Sequence, residues 1–125
     1  MIPFSVTFKA GAPIYEQVVY AVKKAIVSGR LQEGDPFPSV REMSKELRIN
    51  PNTAQKIITR LVQENLIEIK SGIGSRVSKL GNATQGQRHT ILNTEVEKLV
   101  VEAKRLSIKK TELLEAIQDH WTMDK

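Results

Sequence analysis

The residues able to do chemistry in this 125-residue chain are of few types. There is no cysteine, so neither a disulfide nor a thiolate metal site can form. His89, Asp119 and His120 are the plausible transition-metal ligands of the C-terminal part, and their spacing matches no ligand pattern. No nucleophile–base arrangement, phosphate loop or carboxylate pair in an apolar setting is visible, so neither an enzyme nor a cofactor or metal is expected. What remains is a set of hydrogen-bonding and cationic side chains between residues 39 and 76. They are Ser39, Arg41, Asn52, Thr53, Gln55, Lys56, Lys70 and Arg76, with Gly72 and Gly74 among them. Asparagine and glutamine can pair bidentately with adenine, and lysine or arginine with guanine or a phosphate. This is the chemistry of recognition rather than of bond making.

The charge distribution narrows the partner. The net charge is +5. Residues 1–80 carry 12 Lys+Arg against 7 Asp+Glu, whereas residues 81–125 carry 7 of each, so the whole excess lies on the first part. A basic domain joined to a neutral one suggests that the first part meets a polyanion and the second does something else. No basic region followed by an apolar run stands at the N-terminus, and no stretch reaches the roughly 18 apolar residues of a membrane span. A cytoplasmic location without membrane contact is expected.

The elements that would position the recognition residues follow from periodicity and punctuation. Phe4, Val6 and Phe8 alternate as in a short strand. Tyr15, Val18, Val22 and Ala25 mark an amphipathic helix from Pro13 or Ile14, with Gly29 at its C′ position. Residues 34–38 hold two prolines and a glycine and read as a turn. Ser39 and Glu42 make a capping box for a short helix with Val40, Met43 and Leu47 inward. After a three-residue turn, Asn50 caps a third helix that begins at Pro51, buries Ala54, Ile57, Ile58 and Leu61, and ends near Asn65. Two helices so joined form either a helix-turn-helix or an ordinary helical hairpin of an all-α core. The next residues favour the former: Leu66–Lys70 and Ser75–Ser78 read as strands about the turn 71–74, which makes a wing. Gly72-x-Gly74 opens no helix and precedes no further βαβ unit, so it is not a dinucleotide fingerprint.

Residues 80–87 are small, polar and glycine-bearing and read as a linker, which divides the chain into domains 1–80 and 81–125. Beyond it Leu92, Val96, Leu99, Ala103 and Leu106 step by 4, 3, 4 and 3, a heptad-like seam on one helix. Ser107 can cap a last helix whose inner face is Leu113 or Leu114, Ile117 and Trp121. The expected fold is therefore mostly α with a small β-hairpin: a winged helix-turn-helix domain followed by a two-helix tail. Two helices cannot bury such a seam alone, and the tail is expected to dimerise through Leu92, Val96, Leu99, Ala103, Leu106, Ile117 and Trp121. The alternative is a monomer whose tail folds back.

The run from Ile14 to Val77 resembles the DNA-binding domain of the GntR family of bacterial regulators. Ile14-Tyr15-Glu16-Gln17, residues 28–35, Phe37-Pro38-Ser39-Val40-Arg41-Glu42-Met43, Asn50-Pro51-Asn52-Thr53-Ala54 and Gly72-Ile73-Gly74-Ser75 carry the likeness. The short tail and Asn50–Thr53 resemble the YtrA-type branch. The resemblance implies a homodimer that binds an inverted-repeat double-stranded operator, with repression the expected outcome. It implies that Arg41 of the Pro-Ser-x-Arg motif contacts DNA. The third helix would enter the major groove with Asn52, Gln55 and Lys56 toward bases and Thr53 toward a phosphate. Lys70 and Arg76 would flank the wing, with Gly72 and Gly74 allowing close backbone approach. This chain departs from most of the family at Pro51 and Gln55, where arginine is usual, and at Arg76, where an aromatic is usual. Phe37 and Met43 replace leucine. Any small-molecule effector is expected between subunits or between domains, because about 45 residues cannot enclose a typical ligand cavity. A winged helix serving protein or RNA contact is the rival reading.

Overall fold

The computed structural model describes residues 2–79 and 84–123. By its internal contacts the chain divides into two units, 1–81 and 82–125. The first holds α1 (Ile14–Val27), α2 (Val40–Leu47), α3 (Pro51–Gln63) and the antiparallel strands β1 (Ile67–Lys70) and β2 (Gly74–Val77). The second holds α4 (Gln85–His89), a π turn (Thr90–Glu95), α5 (Val96–Arg105) and α6 (Lys110–Met123). No helix among the described residues is long and apolar enough to cross a membrane.

In the first unit the helical periodicity places Val18, Val22 and Ala25 of α1, Met43 of α2, and Ala54, Ile57, Ile58 and Leu61 of α3 in one core, closed by Ile67 and Val77 of the hairpin. Each fully buried large apolar side chain there contributes roughly 1.5–3 kcal/mol. Capping sets where the helices begin. The Glu42 N–H donates to Ser39 Oγ over 3.1 Å while Glu42 Oε1 accepts from the Ser39 N–H. Asn50 Oδ1 accepts from the Asn52 N–H at 2.7 Å, with Pro51 as the first residue of α3. Helix α2 stops because Arg48 turns left-handed at φ 54° and lets the Ile49 N–H bond to the Ser44 carbonyl.

Three local expectations for this unit are corrected or refined. Residues 4–8 are not a strand: nothing pairs with their backbone as a ladder, and Phe4 is instead buried with its ring stacked on Phe37, centroids 6.0 Å apart. Residues 34–37 do more than turn. They lie along the outer edge of β2, with the Gly34 N–H bonded to the Val77 carbonyl, the Val77 N–H to the Asp35 carbonyl and the Phe37 N–H to the Ser75 carbonyl. Strand β2 is thus paired on both edges, by β1 and by the segment that leads into α2. The strands themselves are one residue shorter or shifted relative to expectation, because Gly74 pairs with Lys70 while Ser78 only donates to the Leu66 carbonyl.

The second unit departs further. Positions 80–83 of the expected linker lie outside the described residues, and residues 85–87 are helical, capped by a Thr84–Gln87 box. The helical run that carries the seam is continuous but not regular. Asn93 donates its side-chain amide to the His89 carbonyl, the acceptor its own N–H would use in an α-helix, and the turn widens to i→i+5 bonding over Thr90–Glu95. Leu92 sits inside this turn and Val96 after it, so the register expected for Leu92 is altered. Ser107 does not cap α6. It ends α5 in the left-handed conformation, φ 59°, where its N–H bonds to the Lys104 carbonyl and the Ile108 N–H to the Ala103 carbonyl. Glu112 performs the N-terminal role for α6, its carboxylate accepting from the Lys109 N–H.

Candidate nucleic-acid interface

Helix α3 presents its polar residues opposite its core face. Asn52, Gln55 and Lys56 are exposed and Thr53 is half-buried, whereas Ala54, Ile57 and Ile58 are buried beneath them. The cap decides which backbone groups remain available. Pro51 has no N–H, the Asn52 N–H is taken by Asn50, and the Ala54 N–H goes to the Asn50 carbonyl. Thr53 keeps the open backbone donor of this turn, so the anion-binding capacity expected of the helix N-terminus narrows to one N–H beside one hydroxyl.

The three candidate base readers are not equivalent. The Asn52 side chain makes no hydrogen bond among the described residues. The Gln55 amide donates to Thr59 Oγ1 at 3.2 Å, one turn on. The Lys56 ammonium lies over the Tyr15 ring, 4.0 Å from its centroid, which ties α3 to the start of α1. Lys56 must leave that ring, or share its charge with it, to touch DNA. Tyr15 and Thr59 are residues that sequence reasoning missed here. Tyr15 was absorbed into the apolar stripe of α1, and only the i, i+4 spacing pointed from Gln55 to Thr59.

Arg41 is exposed on the second residue of α2 and has no ion pair or hydrogen bond among the described residues. Ser39 spends an acceptor site on the Glu42 N–H, which leaves its O–H free to donate. In the hairpin, Lys70 pairs with Glu68 at 3.5 Å, and Glu68 stands opposite Arg76 in the register. Arg76 is half-buried, its guanidinium donating to the Ser75 carbonyl at 3.1 Å. Glu68 therefore offsets part of the cationic charge expected at the wing, although an exposed pair of this kind is worth little. Gly72 and Gly74 have φ of 78° and 94° and open space where a Cβ would stand.

Beside this face lies a groove between α1 and α3 that carries an ion-paired network. Glu64 binds Lys23 at 2.8 Å and Arg60 at 2.6 Å. Burial pushes the Glu64 carboxyl up, but hydrogen bonds from Lys23 and Arg60 outweigh it and hold it below its ordinary range. The same contact raises Arg60. No group of three or more potential metal ligands occurs among the described residues.

Residues 14–77, the whole of this arrangement from α1 to the end of the wing, match the model of the gntR family of bacterial regulatory proteins. The chain belongs to the GntR family. It is similar over nearly its whole length to the transcriptional repressor YtrA of Bacillus subtilis strain 168, at 30% identity over 112 residues covering 89% of this chain and 86% of that protein. That likeness, tail included, puts this GntR protein in the YtrA-type branch. A solved structure described as a transcriptional antiterminator from Listeria monocytogenes EGD-e superposes with a TM-score of 0.82 at 25% identity, covering 94% of this chain and 88% of that one. The AraR DNA-binding domain, solved in complex with operator ORR3, shares the fold with a TM-score of 0.50 at 23% identity, covering 59% of this chain and 89% of that one. This GntR protein is a DNA-binding transcriptional regulator with a winged helix-turn-helix domain, as the sequence led one to expect.

In the tail, six of the seven expected contact residues are solvent-exposed: Leu92, Val96, Leu99, Leu106, Ile117 and Trp121, the last at 77%. Ala103 differs. It is only 6% exposed, already covered within the chain where α5 ends, and so offers little new surface. Among the described residues α5 and α6 do not pack along their lengths on one another.

Proposed function

We propose that this protein is a homodimeric repressor that binds an inverted-repeat operator, each subunit laying α3 in the major groove of one half-site. The observation that carries the reading is the exposed polar face of α3, Asn52 and Gln55 on a capped helix start with Arg41 unpaired on the neighbouring α2. Asn52 and Gln55 suit adenine and Arg41 suits guanine, each by paired hydrogen bonds. The Thr53 N–H and hydroxyl and the Ser39 O–H suit phosphates that set the register. Lys70, Arg76 and the two wing glycines meet the backbone beside the half-site. Lys56 joins the base readers on leaving Tyr15.

The tail supplies the two-fold. The six large apolar side chains of the expected seam, left open along the tail, favour burial against a second copy, and a paired domain reads two half-sites at once. The operator complex of AraR and the repressor role named for YtrA support the same reading.

The test is anisotropy of a labelled duplex from the upstream region of the gene against a scrambled duplex, across a salt series. Two chains per site and binding that persists at ~150 mM salt on the native duplex alone are expected. Equal, steeply salt-dependent binding to both duplexes would leave only a basic surface and turn attention to protein or RNA partners.

A further inference from the structure

Of the outward polar side chains of α3, Lys56 is the base reader held by another helix. Its ammonium stands 4.0 Å from the centroid of the Tyr15 ring, well inside the roughly 6 Å over which a ring face attracts a cation. The Lys24 ammonium, 5.8 Å from the Tyr20 ring, lies near that limit. No carboxylate pairs with Lys56 among the described residues. The ring is a prepared seat. Tyr15 is the second residue of α1, half-buried and packed against the core, and α1 itself packs on α3. Its hydroxyl donates to Glu16 Oε1 at 3.4 Å, which leaves the ring face to the lysine.

We propose that Tyr15 is a positioning residue that withholds Lys56 from DNA unless the site offers the ammonium more than the ring does. The inference rests on the operator-binding reading above, in which Lys56 reads a base, and adds the residue that opposes that contact. A cation over a partly exposed ring is favoured by about two- to five-fold. A phosphate met at random along a duplex offers a screened attraction of the same order, so on such DNA Lys56 divides its time between ring and phosphate. A guanine edge aligned with α3 offers charge-assisted bonds to O6 and N7 and draws the lysine off the ring. The ring contact is then lost in the bound state, so it lowers operator affinity by about the factor it contributes in the free protein. Tyr15 thus moderates the strength of binding. It also keeps part of one cation out of sequence-independent binding, which rests on the number of phosphates neutralised.

The experiment measures anisotropy of the full chain across a salt series. One duplex is the operator recovered by the protein's own selection from a random library, and the other is scrambled. Tyr15→Phe keeps the ring face and Tyr15→Leu removes it. Both lack the hydroxyl, so whatever that group does cancels between them. Each is made with Lys56 and with Lys56→Gln. With Lys56 present, Tyr15→Leu is expected to bind the operator about three-fold tighter than Tyr15→Phe, at the same salt slope. On the scrambled duplex its slope is expected to be steeper, by up to about 0.9. With Lys56→Gln the two are expected to bind alike. Damage to the fold weakens binding, so a tightening separates a withheld cation from a merely structural role. A second measurement needs no change at Tyr15, and it decides alone where Tyr15→Leu lowers the melting temperature. Lys56→Gln by itself is expected to lower the slope by about 0.9 on the operator and by about half as much on the scrambled duplex. With operator preference intact, no tightening by a stably folded Tyr15→Leu overturns the role of Tyr15 alone. A tightening that persists with Lys56→Gln, or an equal fall in slope on both duplexes, also overturns it. A wild-type protein that does not prefer the selected site over the scrambled duplex overturns the operator reading and this inference with it.

Discussion

The two units of this protein solve the problem of burying apolar surface in opposite ways. The first, of about eighty residues, encloses Val18, Val22, Met43, Ile57, Leu61, Ile67 and Val77 with essentially no exposure. The second buries Ala103 among its described residues and leaves Leu92, Leu99, Leu106, Ile117 and Trp121 open. The difference is one of layers. Three helices and a hairpin can surround a core, whereas two helices that do not pack on each other cannot. The proposed recognition residues Arg41, Asn52 and Gln55 sit on the self-sufficient unit. The other unit leaves open the apolar side chains on which the proposed dimer rests.

Several changes would break or sharpen this contrast. In the first unit Leu61→Ala should cost about 3 kcal/mol, read by denaturant unfolding, with no dependence on protein concentration. In the second, Leu99→Glu should instead turn the dimer into monomers in sedimentation and weaken operator binding by about a hundred-fold, since the second half-site no longer helps the first. A dimer that survives Leu99→Glu would mean that the apolar tail faces something else. Arg41→Ala should cost about 1–3 kcal/mol on the operator and much less on scrambled DNA, leaving both stability and dimerisation intact. An equal loss on both duplexes would reduce Arg41 to a phosphate contact.

Smaller effects test the joints. Glu64 is held ionised in the fold by Lys23 and Arg60, so its contribution is present at neutral pH and fades as the pH falls below the ordinary carboxylate range, near 4.5. Glu64→Gln should cost about 1 kcal/mol at pH 7 and progressively less in acid, where the carboxylate is protonated anyway. A pH-independent loss would show that packing rather than charge is at stake. Smallest of all, Ser107→Gly should raise the melting temperature slightly, worth about 0.5–1 kcal/mol, because Ser107 holds a left-handed φ of 59° that glycine adopts freely. No gain would mean that the bend between α5 and α6 relaxes in the assembled tail.

Much of this was legible in order along the chain. Helix starts were written in single residues, Ser39 with Glu42 and Asn50 with Pro51, because a cap is a contact between neighbours. The inward faces of α1 and α3 followed from spacing alone, since a helix repeats faster than any tertiary influence can disturb it. The wing showed itself through Ile67, Ile69 and the glycines. By itself, then, the sequence determined the starts and inward faces of the helices of the first unit and, through the basic excess on residues 1–80, pointed toward a polyanionic partner.

The tertiary structure decided what depends on atoms far apart in the chain. It paired residues 34–37 with β2, because the outer edge of that strand needed partners that no local rule supplies. It drew Phe4 out of a strand-like pattern onto Phe37 and set Lys56 over Tyr15, 41 positions away. It also showed which side chains are left over: among the described residues Ile73 and the tail residues Leu92, Val96, Leu99, Leu106, Ile117 and Trp121 stand exposed, apolar like many others that are enclosed.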